Sequence, residues 1–351
     1  MKVLLFSSAS SVHTIRWANS LVGKLKTVIL VSQHDLIEGL DKNVVFYRLK
    51  YSGGKGYFLN VWESRRIINK ESPDIVHAHF ASGYGTLAKN CSSPYLLSVW
   101  GSDVYDFPNE SYLNRLLLER NLKGADAIFS TSYCMKKETQ KYTQKSISVI
   151  PFGVDVDSYK APKPTTDVVT FGVVKVLDHK YGIDVLLDAF SVVSRKYPGT
   201  TRLIIAGDGP LKLDLEKQAS ELGVDHDVDF LGWVNNQEIP VLLSSLDVFV
   251  IPSRLDSESF GVVAVEAGAA KLPCIVSNVG GLPEVVLDGI TGYVVPKNDV
   301  STLANRMCQL YEDPDLRRSL GNNAFERVAS DYVWSENVNG MINCYKAQVE
   351  K

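Results

Sequence analysis

The chain has 351 residues, of which 45% are hydrophobic and 22% are charged, a composition that excludes a mainly disordered protein and predicts two folded domains. Its formal net charge of −3 is uneven, because residues 1–155 contain 19 Lys and Arg against 13 Asp and Glu (+6), whereas the remainder contains 18 against 27 (−9). The apolar runs are too short for a transmembrane helix, and the five scattered cysteines lack the spacing of a disulfide framework or a zinc site.

Short apolar runs alternate with longer amphipathic runs along the first half of the chain. The strands predicted for this half are Val3–Ser7, Thr27–Ser32, Val44–Leu49, Ile75–Ala78, Tyr95–Val99, Ala127–Thr131 and Ser146–Ile150. The predicted helices are Val12–Lys24, Tyr57–Lys70, Tyr84–Lys89, Tyr112–Gly124 and Cys134–Lys141. This alternation predicts a parallel sheet with helices on both faces, since many of the strands are apolar throughout.

The second half shows the same alternation and therefore predicts a second parallel sheet. Its predicted strands are Val168–Val174, Arg202–Gly207, Val228–Gly232, Val248–Pro252, Cys274–Ser277 and Gly292–Val295. Its predicted helices are Ile183–Tyr197, Leu211–Leu222, Gln237–Ser244, Gly261–Lys271, Ser301–Tyr311, Pro314–Ala329 and Trp334–Val349.

A polar segment with two prolines, residues 155–167, separates the two halves and predicts a linker. We therefore expect an α/β protein with two doubly wound, Rossmann-like domains, residues 1–155 and 156–330. Residues 331–351 are expected to form a C-terminal helix that packs back toward the first domain. Ligands of such sheets bind beyond the carboxyl ends of the strands, so the two domains are expected to face an inter-domain cleft that holds the site.

Two glutamates lie near the start of a predicted helix that follows the strand DVFVIPS. Glu258 is in the loop before the helix, and Glu266 is in its second turn. The N-terminus of a helix offers unpaired N–H groups to phosphates or hydroxyls, and ionised carboxylates accept strong hydrogen bonds from sugar hydroxyls. The alternative is that Glu258 only caps the helix and Glu266 forms a surface pair.

Lysines and glycines follow two other predicted strands. Lys175 and Lys180 lie just past a buried strand, where two cations can neutralise a diphosphate, although they can equally be solvated surface lysines. Gly207 and Gly209 follow the next strand and permit close approach of a ligand to the backbone. Lys212 stands where a dinucleotide fingerprint has its third glycine, so a tight turn also explains these glycines.

Polar residues at further strand ends complete the set of candidates. His77, His79 and Asp103 lie at strand ends of the first half; each histidine alone is most simply structural, and the spacing is not that of a zinc site. Gly281 and Glu284 follow a strand of the second half, where the backbone N–H of Gly281 can bind a phosphate or a base. Taken alone, this last segment is a turn.

Together these segments resemble glycosyltransferase family 4, the large retaining GT-B family, over nearly the whole chain and most strongly from about residue 150 to residue 300. ESFGVVAVEAG resembles the E-x7-E element of that family, and GVDVDSY and GGLPEVVLDGITGYVVP match two further segments. VKVLDHKYG resembles its basic loop, but Lys175 replaces the usual arginine and Tyr181 is inserted before Gly182. The start, SSASSVHTIRW, departs from the common Gly-Gly form and resembles a subgroup with a His-Thr-x-Arg-Trp motif.

The resemblance implies a donor-binding second domain, an acceptor-binding first domain and metal-independent transfer with retention at the anomeric carbon. The implied catalytic residues are Lys180, Glu258, His79 and Asp103. The implied donor-binding residues are Lys175, Gly207, Gly209, Phe260, Gly261, Val262, Glu266, Gly281 and Glu284. Glu266 would bind the donor ribose and Glu258 the donor sugar, and Lys180 with Lys175 would stabilise the leaving diphosphate. His79 and Asp103 would line the acceptor side. No metal or cofactor is implied, because the nucleotide-sugar is a substrate.

We therefore expect a cytoplasmic, retaining hexosyltransferase that moves a sugar from a nucleoside diphosphate sugar to a hydroxyl of a saccharide or lipid-linked saccharide, in surface polysaccharide or glycolipid assembly. A hydrolysing nucleotide-sugar epimerase on the same fold and a catalytically silent GT-B partner subunit are the alternatives. Intact Lys180, Glu258 and Glu266 argue against the silent subunit.

The basic N-terminal half predicts an anionic contact, and the alternative is a solvated surface with a modest charge imbalance. Nucleic acid is not favoured, because the basic residues are dispersed rather than interleaved with aromatic residues. Residues Tyr51–Arg66, YSGGKGYFLNVWESRR, are the candidate for peripheral contact with the inner face of a membrane. The alternative is a helix that packs Phe58, Val61 and Trp62 into the domain core.

Overall fold

The computed structural model describes residues 1–92, 94–161 and 167–350, which form two parallel sheets flanked by helices. These residues group into two compact units, Met1–Pro151 with Ser335–Lys351, and Phe152–Trp334. The boundaries therefore fall at 151/152 and 334/335, against 155/156 and 330/331 expected from the sequence. Residues 162–166, with both prolines of the expected linker, lie outside the described residues. The described residues Val156–Tyr159 form a 3₁₀ turn of the second unit.

The sheet of the first unit is parallel and has the order β3-β2-β1-β4-β5-β6-β7. Its strands are β1 (Lys2–Phe6), β2 (Thr27–Ser32), β3 (Val44–Arg48), β4 (Ile75–His79), β5 (Leu96–Ser98), β6 (Ala127–Ser130) and β7 (Ile147–Val149). Strands β1, β2 and β4 are buried almost along their whole length, as expected for apolar strands covered on both faces.

The helices of the first unit include two short ones that the sequence did not predict, α5 and α6, in the loop after β5. In the described part of this unit the helices are α1 (Val12–Leu21), α2 (Gly53–Leu59), α3 (Val61–Glu71), α4 (Gly83–Cys91), α5 (Ser102–Tyr105), α6 (Phe107–Glu110), α7 (Tyr112–Gly124), α8 (Tyr133–Thr139) and, from its second residue onward, the last helix α16 (Trp334–Val349). From α16, the hydroxyl of Tyr345 forms a 2.7 Å hydrogen bond with Nδ1 of His77.

The predicted helix Tyr57–Lys70 is two helices that meet at Asn60. The buried amide of Asn60 accepts a hydrogen bond from the backbone N–H of Tyr51 at 3.0 Å and donates one to its carbonyl at 2.7 Å. The helical start at Gly53 was missed because glycines disfavour helices, and this tertiary contact outweighs the weak local preference.

The second unit has a parallel sheet with the order β10-β9-β8-β11-β12-β13. Its strands are β8 (Val169–Val174), β9 (Thr201–Ala206), β10 (Val228–Gly232), β11 (Val248–Ile251), β12 (Cys274–Ser277) and β13 (Gly292–Val295). Its helices are α9 (Ile183–Lys196), α10 (Lys212–Glu221), α11 (Ile239–Ser244), α12 (Val262–Ala269), α13 (Leu282–Val285), α14 (Val300–Glu312) and α15 (Pro314–Asp331). None of the helices in the described parts of the chain is long and apolar enough to cross a membrane.

Each sheet reverses its strand order once, between β1 and β4 in the first unit and between β8 and β11 in the second. At such a switch point the connections leave in opposite directions and open a crevice at the carboxyl ends of the two strands. The residues that follow these four strands are therefore the best placed to meet a ligand.

Candidate active site

A bidentate ion pair occupies the switch point of the second sheet. The Nζ of Lys175, which follows β8, lies 2.9 and 2.8 Å from the two carboxylate oxygens of Glu258, which follows β11. Only 12% of the Lys175 side chain and 8% of the Glu258 side chain are exposed. The Oγ of Ser253 donates a further hydrogen bond to Oε2 of Glu258 at 3.2 Å. The structure thus joins two residues that sequence reasoning had singled out separately.

Lys180 lies beside this pair on a short turn. Its backbone N–H donates to Oδ1 of Asp178 at 3.1 Å, and its Nζ donates to the carbonyl oxygen of Ser257 at 3.0 Å. The ring of Tyr181 lies next to both ammonium groups, with its centroid 4.8 Å from Nζ of Lys175 and 5.4 Å from Nζ of Lys180. Such cation–π contacts hold both lysine side chains against one ring.

The glycines after β9 are required by the approach of two loops. A side chain at Gly207, where φ is +142°, would place its Cβ 1.7 Å from the carbonyl oxygen of Lys175, and one at Gly209 would lie 2.5 Å from that of Leu177. These glycines bring the loop after β9 against the backbone of the Lys175 loop. These close contacts agree with the tight-turn alternative of the sequence analysis. They also support the backbone of Lys175.

The loop after β12 is packed in the same way against Glu258. The N–H of Gly281 donates to the carbonyl oxygen of Glu258 at 2.9 Å, and the N–H of Leu282 donates to that of Val279 at 3.2 Å. The N–H of Gly281, which the sequence analysis considered for a phosphate or a base, therefore has an acceptor within the protein, and so does the N–H of Leu282. This loop fixes the backbone of Glu258.

The start of α12 is set by Gly261, which precedes its first residue, Val262, in the left-handed region at φ 86°. The buried ring of Phe260 packs on Phe152 and Tyr332, with centroids 6.2 and 5.7 Å away. This packing anchors the first turn of the helix.

Glu266 lies in the second turn of α12, as the sequence predicts, and is half-buried. Glu284 lies in α13, where its carbonyl oxygen accepts hydrogen bonds from Arg327 at 2.7 Å and Tyr332 at 3.2 Å.

In the first unit, His79 ends β4 at the other switch point and is 2% exposed. Its Nδ1 is 3.0 Å from Oγ of Ser7, which follows β1 and is itself 2.7 Å from Oγ1 of Thr14. Its ring lies against that of Trp100, with centroids 4.4 Å apart. Burial, reinforced by the neighbouring His77, holds the pKa of His79 well below its usual value, so the imidazole is neutral at pH 7.

Asp103 is 1% exposed, and its carboxylate is bound by backbone amides. Oδ2 accepts from the N–H of Ala81 at 2.7 Å, and Oδ1 accepts from those of Trp100 at 3.1 Å and Gly101 at 2.8 Å. Burial raises the pKa of Asp103, and these hydrogen bonds oppose the rise. These contacts tie the loop after β5 to the loop after β4. The expected place of Asp103 on the acceptor side stays a prediction.

Sequence reasoning missed three residues of these clusters: Ser253, Trp100 and Tyr181 as a contact of both lysines. Ser253 and Trp100 lie within two residues of a strand end, which is the signal that would have found them. Tyr181 was noted only as an insertion, and its contacts depend on the fold.

The structure thus defines a protein of two doubly wound units with a charged cluster at the switch point of the second. Residues 157–327 match the model of glycosyl transferases group 1, and residues 2–132 match that of the glycosyl transferase 4-like proteins. The chain is 29% identical to an uncharacterized glycosyltransferase, MJ1178, of Methanocaldococcus jannaschii, over 93% of this chain and 92% of that protein. It is 31% identical to the D-rhamnosyltransferase WbpZ of Pseudomonas aeruginosa, over 78% of this chain and 73% of that protein.

Among solved structures, Anabaena Alr3699/HepE in complex with UDP and glucose superimposes with a TM-score of 0.82 at 18% identity, over 99% of both chains. The fold is therefore GT-B, with two Rossmann-like domains. The chain belongs to the group 1 glycosyltransferases of the family 4 type, as the sequence predicts.

Proposed function

We propose that the protein transfers a hexosyl group, with retention at the anomeric carbon, from a nucleoside diphosphate sugar to a hydroxyl of a saccharide or lipid-linked saccharide, in surface polysaccharide or glycolipid assembly. The observation that carries the proposal is the cluster of Lys175, Lys180 and Glu258. Two ammonium groups against one carboxylate give this cluster a net positive charge, which suits a diphosphate. UDP and glucose in the Anabaena neighbour, and the D-rhamnosyl transfer named for WbpZ, are compatible with such a donor.

In the proposed reaction, the bond between the anomeric carbon and the diphosphate oxygen breaks while the acceptor oxygen bonds to the same carbon. Negative charge grows on the leaving diphosphate, and cations already in place stabilise that charge in the transition state. Lys180 has this role, with Lys175 beside it. Glu258 contacts the donor sugar, Glu266 binds the ribose hydroxyls, and the leaving phosphate oxygen takes the acceptor proton, so no protein nucleophile is required.

The acceptor binds in the first unit under this proposal. His79 is neutral and forms a hydrogen bond with Ser7. Its ring can therefore donate a hydrogen bond to a hydroxyl of the sugar acceptor or accept one from it. Asp103 keeps the two neighbouring loops in register.

The experiment is an assay for release of nucleoside diphosphate from a panel that starts with UDP-glucose, with and without a saccharide acceptor. If the protein is a retaining transferase, release of nucleoside diphosphate depends on the acceptor. The new glycosidic bond, read by NMR, then has the same axial or equatorial configuration as the sugar–phosphate bond of the donor. Release without acceptor would instead favour the hydrolysing epimerase. Donor binding without any release would favour the silent subunit. The Glu258→Ala variant, purified in the same way, is the control for contaminating activity.

A further inference from the structure

Residues 51–71 of the first unit present large apolar side chains to solvent. Phe58 is 53% exposed, Leu59 56% and Trp62 63%. The opposite side of the same segment is buried through Gly56, Asn60, Ser64 and Ile67. The interpretation that Phe58 and Trp62 pack into the domain core is therefore wrong, and only Val61 of that set packs against it.

These exposed residues share one side of a rigid helical segment. Hydrogen bonds from Asn60 N–H to Gly56 O (3.0 Å) and from Ser64 N–H to Asn60 O (2.9 Å) continue the helical pattern through the junction of α2 and α3. Positions i, i+3, i+4, i+7 and i+11 then fall on one face. We call this face, together with Tyr51, which lies two residues before α2, the basic–aromatic ridge. The ridge consists of Tyr51, Lys55, Phe58, Leu59, Trp62 and Arg66.

The backbone below the ridge is fixed by buried contacts. The side chain of Asn60 holds both backbone groups of Tyr51, at 3.0 and 2.7 Å. A side chain at Gly56 would place its Cβ 2.1 Å from Oε1 of Gln33, so α2 packs directly against the side chain of Gln33. The exposed rings are therefore presented in a defined geometry, which lowers the entropic cost of their burial against a partner.

The segment that contains the ridge is positively charged. Residues 51–71 contain Lys55, Arg65, Arg66 and Lys70 against Glu63 and Glu71, a net charge of +2. The guanidinium carbon of Arg66 lies 3.3 Å from the centroid of the Trp62 ring. An amphipathic ring with a cation on its face matches the headgroup layer of a bilayer, where indole sits at the interface and arginine meets phosphate.

We propose that the basic–aromatic ridge binds peripherally to an anionic lipid bilayer, with the rings of Phe58 and Trp62 in the interface and Lys55 and Arg66 on lipid phosphates. A second copy of the chain is a poorer occupant, because a two-fold contact through this face would set like charges against each other. The proposal does not depend on the identity of the sugar donor.

The test is sedimentation of the full chain with vesicles of phosphatidylcholine alone or with 30% phosphatidylglycerol, across a salt series. We expect binding to the anionic vesicles that falls at least tenfold from low salt to about half-molar salt. Leu59→Ser/Trp62→Ser and Lys55→Glu/Arg66→Glu should each weaken it at least tenfold. The matched controls are Leu213→Ser/Trp233→Ser, whose side chains are 77% and 73% exposed in the second unit, and Lys217→Glu/Lys297→Glu.

Absent binding, binding indifferent to lipid charge and salt, or equal loss in the ridge and control variants would overturn the proposal. Circular dichroism confirms that each variant is folded. Sedimentation velocity identifies self-association through the ridge, which would also overturn it if found without vesicle binding.

Discussion

Glu258 binds the ammonium group of Lys175 with both of its carboxylate oxygens, at 2.9 and 2.8 Å, although the two residues are 83 positions apart in the chain. The pair is largely shielded from solvent, so each charge depends on the other for stabilisation. A donor diphosphate that approaches Lys175 would share this cation with Glu258. The ion pair therefore both stabilises the free site and sets the position of its charges before a donor arrives.

Removal of one member of this pair should destabilise the protein. Lys175→Met leaves the Glu258 carboxylate buried without its cation, and we expect the free energy of unfolding to fall by about 3 kcal/mol. Lys175→Arg keeps the charge and should lose less. Lys175→Met/Glu258→Leu removes both charges and should recover much of the stability. Urea denaturation measures all three, and a wild-type midpoint for Lys175→Met would show that the pair contributes nothing.

The pair illustrates what the sequence predicts and what it cannot. The alternation of apolar and amphipathic runs predicts both sheets, and Lys175 and Glu258 each stand out at a strand end. Their contact depends on the strand order that places β8 beside β11, and no local pattern encodes that order. The hydrogen bonds of the Asp103 carboxylate could not be predicted for a related reason, because Ala81, one of its donors, is 22 positions away on another loop.

Lys180 should matter more for turnover than for donor binding. Charge on the diphosphate grows during transfer, so a cation that stabilises it contributes mainly to the transition state. We expect Lys180→Ala to lower kcat by about 100-fold or more, with a smaller loss of donor affinity. Steady-state kinetics and calorimetry with the same donor separate the two effects. Lys180→Arg is the charge-conserving control, and an unchanged kcat in Lys180→Ala would rule out the assigned role.

Glu266 should contribute directly to donor affinity. Glu266 lies in the second turn of α12, and we propose that its carboxylate binds the ribose hydroxyls of the donor. Glu266→Ala should weaken donor binding by about 1.5–3 kcal/mol, the range for hydrogen bonds to a charged group. Isothermal titration calorimetry on the folded variant measures this loss. Glu216→Ala, on α10, is a control from the same unit, and equal affinities of the Glu266→Ala variant and wild type would contradict the ribose assignment.

Two buried histidines of the first unit, His77 and His79, and the half-buried His13 should make its stability depend on pH. Burial lowers the pKa of His77 to about 3 and, together with Arg16, that of His13 to about 4, and it holds the pKa of His79 well below its usual value. In the unfolded chain each histidine takes up a proton near pH 6.5, so the unfolded state binds more protons below that pH. The free energy of unfolding is therefore highest above pH 6.5 and falls as the pH drops toward 4.

The slope of that fall should approach about 1.4 kcal/mol per pH unit for each of these histidines. Urea denaturation at pH 7, 6 and 5 measures it. His77→Gln retains groups that can bond to Tyr345 and Ser98 but does not titrate, so its slope should be shallower by about one histidine. A slope identical in wild type and His77→Gln would show that His77 is protonated in the folded protein, despite its burial between Tyr345 and Ser98.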